Sequence, residues 1–113
     1  MKELIFVCAS EISRSPTAKR VFNDWLERDG LSKEYHASSA GALDGRKMAK
    51  EEVDEAHKII AFDGMVATAL EKNYPELMGN PKLIQLSVPD IYARDSEELV
   101  EIIRRFYDSK SWV

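Results

Sequence analysis

Leu4-Ile5-Phe6-Val7 is an unbroken apolar run that ends at Cys8. A strand with one wet face alternates apolar and polar residues. A run without polar breaks belongs to a strand covered on both faces, which is the habit of parallel sheets. Immediately afterwards the period changes, and Ala18, Val21, Phe22, Trp25 and Leu26 recur at helical spacing. Pro16 is tolerated in the first turn of that helix, where its missing N–H would be unpaired anyway, and Gly30 closes it.

The same alternation runs to the end of the chain. Tyr35–Ala40 reads as a second strand stopped at Gly41, followed by a charged, solvated helix around Lys47–Ala56. Lys58–Phe62 is the third strand, Met65–Lys72 a helix ending near Pro75, and Lys82–Leu86 the fourth strand, with a loop containing Pro89 after it. Asp95 and Glu98 have capping-box spacing for a last helix, whose Leu99, Ile102, Ile103 and Phe106 form one apolar stripe. Strands alternating with helices predict an α/β fold, a parallel sheet with helices on both faces and right-handed crossovers. Ligands of such sheets bind beyond the carboxyl ends of the strands, where the strand order reverses.

With 113 residues and 44 % of them apolar, the chain suits one globular domain spanning residues 1–113. Leu4 to Ala9 is too short for a signal peptide, and no apolar run approaches the roughly 20 residues of a membrane helix. The one cysteine precludes an internal disulfide and fits a reducing, cytoplasmic setting. A net charge of −4 argues against a nucleic-acid partner. Anion binding, if present, must come from a local device.

Cys8-Ala9-Ser10-Glu11-Ile12-Ser13-Arg14-Ser15 is such a device. Between a strand end and a helix N-terminus, the successive backbone N–H groups of Ala9, Ser10, Glu11, Ile12, Ser13 and Arg14 form a nest for a tetrahedral anion. The same field favours the thiolate of Cys8, a strong nucleophile that can attack phosphorus. The planar fork of Arg14 can grip two phosphoryl oxygens, and Ser15 can donate a hydroxyl to the thiolate when it leaves. A buried structural cysteine beside a surface arginine is the bland reading of the same residues.

The pattern Val7-Cys8-x5-Arg14-Ser15-Pro16, together with Ser39-Ala40-Gly41, resembles the low-molecular-weight protein tyrosine phosphatases, in particular their short bacterial members, nearly end to end. The resemblance implies a four-stranded parallel sheet in the order 2-1-3-4, with Cys8 as nucleophile, Arg14 as phosphoryl binder and Ser15 as thiolate support. Three departures stand out. Ser10-Glu11 replaces the family's Gly-Asn, so Glu11 is expected to fit the loop's backbone less well and, if it faces the anion, to oppose it; Glu11→Asn would then raise activity. Ser13 replaces a cysteine that can trap an oxidised nucleophile. Ala42-Leu43-Asp44-Gly45 offers no aromatic wall for a phosphotyrosine ring.

The resemblance also places a general acid after the fourth strand, where this chain has Pro89-Asp90; Asp90 is the candidate, and Tyr92 either flanks a substrate ring or packs. Asp95, already explained as a cap, and Asp63, which suits the cap of the helix starting near Gly64, are the rivals. Neither His36 nor His57 fits a catalytic role, and no cofactor or metal is implied. The chain is therefore expected to hydrolyse a phosphorylated protein or small phosphomonoester through a cysteinyl phosphate. A catalytically weak phosphate-binding or regulatory module on the same fold is the alternative. A phosphocarrier would not need Arg14, and an arsenate reductase using a disulfide cascade would need further cysteines.

Overall fold

The computed structural model describes residues 1–113. In chain order the elements are β1 (Lys2–Cys8), α1 (Arg14–Arg28), β2 (Tyr35–Gly41), α2 (Lys50–Glu55), β3 (Lys58–Ala61), α3 (Gly64–Asn73), β4 (Leu83–Gln85) and α4 (Glu97–Ser109). A single 3-10 turn, Pro75–Leu77, lies between α3 and β4. The four strands form one parallel sheet in the order β2-β1-β3-β4. The chain winds first to one side of β1 and then to the other, so the order reverses between β1 and β3. The loop that begins at Cys8 stands at that point. No helix is long and apolar enough to cross a membrane.

Alternation along β1 sorts the core into two layers. Leu4, Phe6 and Cys8 face α1 and α4, where they join Phe22, Leu26, Ile103 and Phe106. Ile5 and Val7 face the other way, with Val53 of α2 and Val66 and Leu70 of α3. Phe22 is the hub of the first layer, with Phe6 at 4.7 Å and Tyr107 at 5.0 Å between ring centroids. Cys8 thus inherits its direction from the period of the strand: it points toward the start of α1, the only helix that begins six residues later.

Helix boundaries follow from side chains that local spacing does not reveal. Gly30 at φ +74° ends α1, with the amides of Gly30 and Leu31 returning to the carbonyls of Glu27 and Leu26. The helix expected from Lys47 starts only at Lys50. Glu52 reaches back to accept from the Ala49 N–H at 3.0 Å and from the Arg46 guanidinium, which fixes residues 46–49 outside the helix. The cap of α4 is Ser96, one residue later than expected, and its hydroxyl accepts from the Leu99 N–H. Asp95 adopts φ +62°, pairs with Arg20 and receives no helix amide; its own N–H donates to the Thr17 hydroxyl.

β2 is an edge strand, yet little of its open side is left to another chain. The Asn23 side chain donates to the Ala37 carbonyl and accepts from the Ala37 N–H, both at 2.9 Å, as a neighbouring strand would. Further along, Arg46 Nε donates to the Ser39 carbonyl and the Gly41 N–H donates to the Arg46 carbonyl. Side-chain cover of this kind removes a template for edge-to-edge pairing. Asn23→Ala should therefore cost about 1–2 kcal/mol from the two lost bonds. In a melting experiment that is a fall in Tm of roughly 4–10 °C. An unchanged Tm would mean that water replaces the amide without loss.

Candidate active site

A small concavity of 120 Å³ opens at the carboxyl end of β1, lined by Cys8, Ser10, Ile12, Ser13, Arg14 and Asp90. Cys8 lies at its base, buried, with Sγ 3.0 Å from Ser15 Oγ. The Ser15 hydroxyl also lies 3.3 Å from the Ala40 carbonyl, so it can donate to a carbonyl or to a thiolate. No backbone N–H of residues 9–13 donates to a protein acceptor, which leaves five donors for an anion in the loop. The Ser13 side chain, although at the cap position of α1, bonds to no helix amide either.

Arg14 begins α1 but folds back beneath the loop, with its side chain 2 % exposed. A buried guanidinium needs fixed acceptors. Nη1 has two, Asp63 Oδ2 at 2.8 Å and the Val88 carbonyl at 2.8 Å. Nε is buried without a hydrogen-bond partner, its nearest acidic neighbour being Asp90 Oδ1 at 3.6 Å. The Nε–Nη2 edge of the fork is thus the one left to hold a bidentate oxyanion.

The three candidate acids fall into different settings. Asp63 both caps α3, accepting from the Val66 N–H at 2.8 Å, and holds Arg14. Burial pushes its carboxyl up, but hydrogen bonds from Arg14 and the Val66 N–H and the guanidinium charge outweigh this, and the net shift is downward. It therefore stays ionised and is a poor proton donor. Local spacing shows only the capping role; the tie to Arg14 spans 49 residues. Asp95 is engaged with Arg20 and does not line the concavity. Asp90 lines it, with a side chain 63 % exposed.

Glu11 departs most from expectation. Its backbone is left-handed, φ +54°, as the loop requires, but its carboxylate turns away from the concavity. It accepts from the Ser39 hydroxyl at 2.7 Å and from the Arg46 N–H at 2.9 Å. Leu43 and Asp44 donate their amides to the Ala9 carbonyl, so the loop after β2 is laced to the loop after β1 at two places. Gly41 makes this approach possible, because a Cβ there would stand 1.6 Å from the Asp44 carbonyl oxygen. Tyr92 packs against the core layer of α1 and α4 rather than lining the concavity. His36 pairs with Glu3 at the amino end of the sheet, and His57 stacks edge-on against Tyr35; both are remote from Cys8.

A family model described as low molecular weight phosphotyrosine protein phosphatase matches residues 3–84. The chain belongs to that family. Low molecular weight phosphatases are cysteine-dependent enzymes that act on phosphorylated proteins or small phosphoesters, and this chain is one of them. Asp90 and α4 lie beyond the matched residues. No curated protein matches the sequence. Among solved structures, SP-PTP, the low molecular weight protein tyrosine phosphatase from Streptococcus pyogenes, is 19 % identical with a TM-score of 0.79, over 96 % of this chain and 90 % of that one. The enzyme of the same name from T. tengcongensis is 19 % identical with a TM-score of 0.78, over 96 % and 99 %. The YwlE arginine phosphatase from Geobacillus stearothermophilus is 19 % identical with a TM-score of 0.70, over 96 % and 92 %. At these identities the likeness is one of fold.

Two predictions follow from the braces around the loop. Relief of left-handed strain by Glu11→Asn is worth at most about 1–2 kcal/mol, whereas each hydrogen bond to a charged acceptor contributes about 1.5–3 kcal/mol. The shorter Asn cannot span both partners, so Glu11→Asn should lower kcat/KM and Tm, with Glu11→Gln, which keeps the reach but loses the charge, between it and wild type; a gain of activity in Glu11→Asn would restore the view of Glu11 as a handicap. Asp63→Asn keeps an acceptor for the Val66 N–H but removes the counter-charge of Arg14. It should reduce turnover by about tenfold or more, as loss of a positioned charge contact does, and raise KM for aryl phosphate. Unaltered steady-state kinetics would show that Val88 alone suffices to aim the guanidinium.

Proposed function

We propose that this chain hydrolyses phosphomonoesters on proteins through a phosphocysteine at Cys8, with residues 1–113 acting as one domain. The observation that carries the reading is Arg14. A guanidinium folded back, buried, and left with an unpaired Nε in the same concavity as the only cysteine has a ready explanation as one half of an oxyanion clamp.

In this reading the amides of Ala9, Ser10, Glu11, Ile12 and Ser13 and the Nε–Nη2 edge of Arg14 hold the phosphoryl oxygens. The Cys8 thiolate attacks phosphorus as the ester oxygen leaves, and Asp90 gives that oxygen its proton. Asp90, now ionised, then takes a proton from the water that attacks the phosphocysteine; the phosphorus–sulfur bond breaks, and Ser15 donates to the departing thiolate. Developing charge is met by donors already in place, so little reorganisation is needed at each step. The non-catalytic alternative rested on a Glu11 carboxylate opposing the anion, and the Ser39 and Arg46 contacts take that support away. The lone thiol is in keeping with a cytoplasmic setting.

The role of Asp90 is tested by leaving group. Asp90→Asn should lose about 10²-fold on an alkyl phosphate, whose alkoxide needs the proton, and far less on an activated aryl phosphate. Equal losses on both esters, or a larger one in Asp95→Asn, would remove Asp90 from proton transfer.

A further inference from the structure

Seven large apolar side chains of the chain are exposed. Met1 and Val113 are chain ends, and Met78 lies in the turn ahead of β4. The other four are Ile12, Leu43, Met65 and Ile91, and each stands in the loop or first helical turn that follows one of the four strands. One per strand, all at the carboxyl end, is a collar and not a scatter. Single exposed apolar residues need no explanation, whereas a grouped set at a binding site does.

The contacts tie each member to the Cys8 loop. Ile12 lines the concavity itself, and Ile91 follows Asp90, which also lines it. The Leu43 N–H donates to the Ala9 carbonyl at 2.8 Å. Met65 stands two residues after Asp63, the partner of Arg14. The concavity, at 120 Å³, has room for about four waters at roughly 30 Å³ each, enough for a phosphoryl group and the first atoms of its ester. Leu43, Met65 and Ile91 stand outside it and meet whatever lies beyond the phosphorylated side chain. The charges beside them are carboxylates: Asp44 follows Leu43, Asp63 lies before Met65, and Asp90 precedes Ile91. Of the basic residues on these loops, Arg46 is paired with Glu52, whereas Lys47 and Arg94, which lines the hollow beside α1, have no ion-pair partner. Apolar flanks would cover exposed aliphatic surface; acidic ones would leave it bare, and would meet Asp44 and Asp90 as well as Lys47 and Arg94.

We propose that this collar reads the neighbours of the phosphorylated residue, and that the preferred substrate is a protein segment carrying apolar rather than acidic side chains next to it. The proposal rests on the phosphatase reading above and adds its specificity.

The test uses two phosphotyrosine nonapeptides that differ only at the two positions on each side of the phosphotyrosine, Leu and Ile in one and Asp and Glu in the other. Binding to Cys8→Ser is followed by fluorescence anisotropy, and hydrolysis by wild type as kcat/KM. The apolar-flanked peptide should be favoured about tenfold in both, and the triple variant Leu43→Ser, Met65→Ser, Ile91→Ser should bring the ratio to about twofold or less, as expected for losing partly buried aliphatic contacts. All three positions are exposed, and Ile91→Ser alone should show part of the fall if the triple variant melts early. Equal use of the two peptides, or preference for the acidic one, would overturn the collar while leaving the phosphatase intact. No turnover of either peptide or of a small aryl phosphate by wild type would sink the phosphatase reading, and the binding ratio would still decide the collar.

Discussion

The structure of the site depends on one ion pair, between the buried Arg14 and the half-buried Asp63. Arg14 carries a charge that cannot be neutralised by deprotonation, and it is removed from water beneath the Cys8 loop. Asp63, at the end of β3, and the Val88 carbonyl, after β4, take up one end of its guanidinium. The parallel order of the strands is what brings these two loops to the loop after β1. Because Asp63 also caps α3, the helix, the ion pair and the direction of the free fork edge are set together. A guanidinium tied at one end has few ways to turn, so in the proposed clamp the cost of orienting it is met in folding.

A second brace acts from the other side. Glu11 reaches across to Ser39 and Arg46, and Arg46 in turn bonds the Ser39 carbonyl and Glu52. The left-handed backbone at Glu11 is therefore held by a carboxylate that bridges two segments, in place of a residue with an intrinsic liking for that conformation. The thiol sits between the two braces with Ser15 as its close polar neighbour. Cys8, Arg14 and Ser15 come from one short stretch, but their geometry is imposed by β2, β3 and the loop after β4.

Much of this was legible in the sequence where the signal is local. The apolar run Leu4 to Val7 and the helical spacing from Ala18 place the loop at a strand-to-helix junction, and the resemblance supplied the strand order that the structure shows. Errors came where a distant partner decides a local choice. Asp95-x-x-Glu98 and Ser96-x-x-Leu99 are both possible cap frames; the choice falls to Ser96 because Arg20 and Thr17, far away in sequence, hold Asp95 in a left-handed turn. The direction of the Glu11 carboxylate stayed open in the sequence, because its acceptor role depends on partners 28 and 35 residues away. Asp63 was legible as a cap but not as the counter-ion of Arg14, 49 residues before it. Periodicity reports which face is buried; it is silent on which polar atoms meet across loops.

The central claim is that the phosphoryl group passes through Cys8. Rapid acid quenching of wild type during turnover of an aryl phosphate, followed by proteolysis and mass spectrometry, tests it directly. The account predicts a phosphoryl group on the peptide containing Cys8, absent from Cys8→Ser, which should also fail to turn over. Hydrolysis that continues in Cys8→Ser, or turnover with the phosphoryl group carried by another residue, would contradict it.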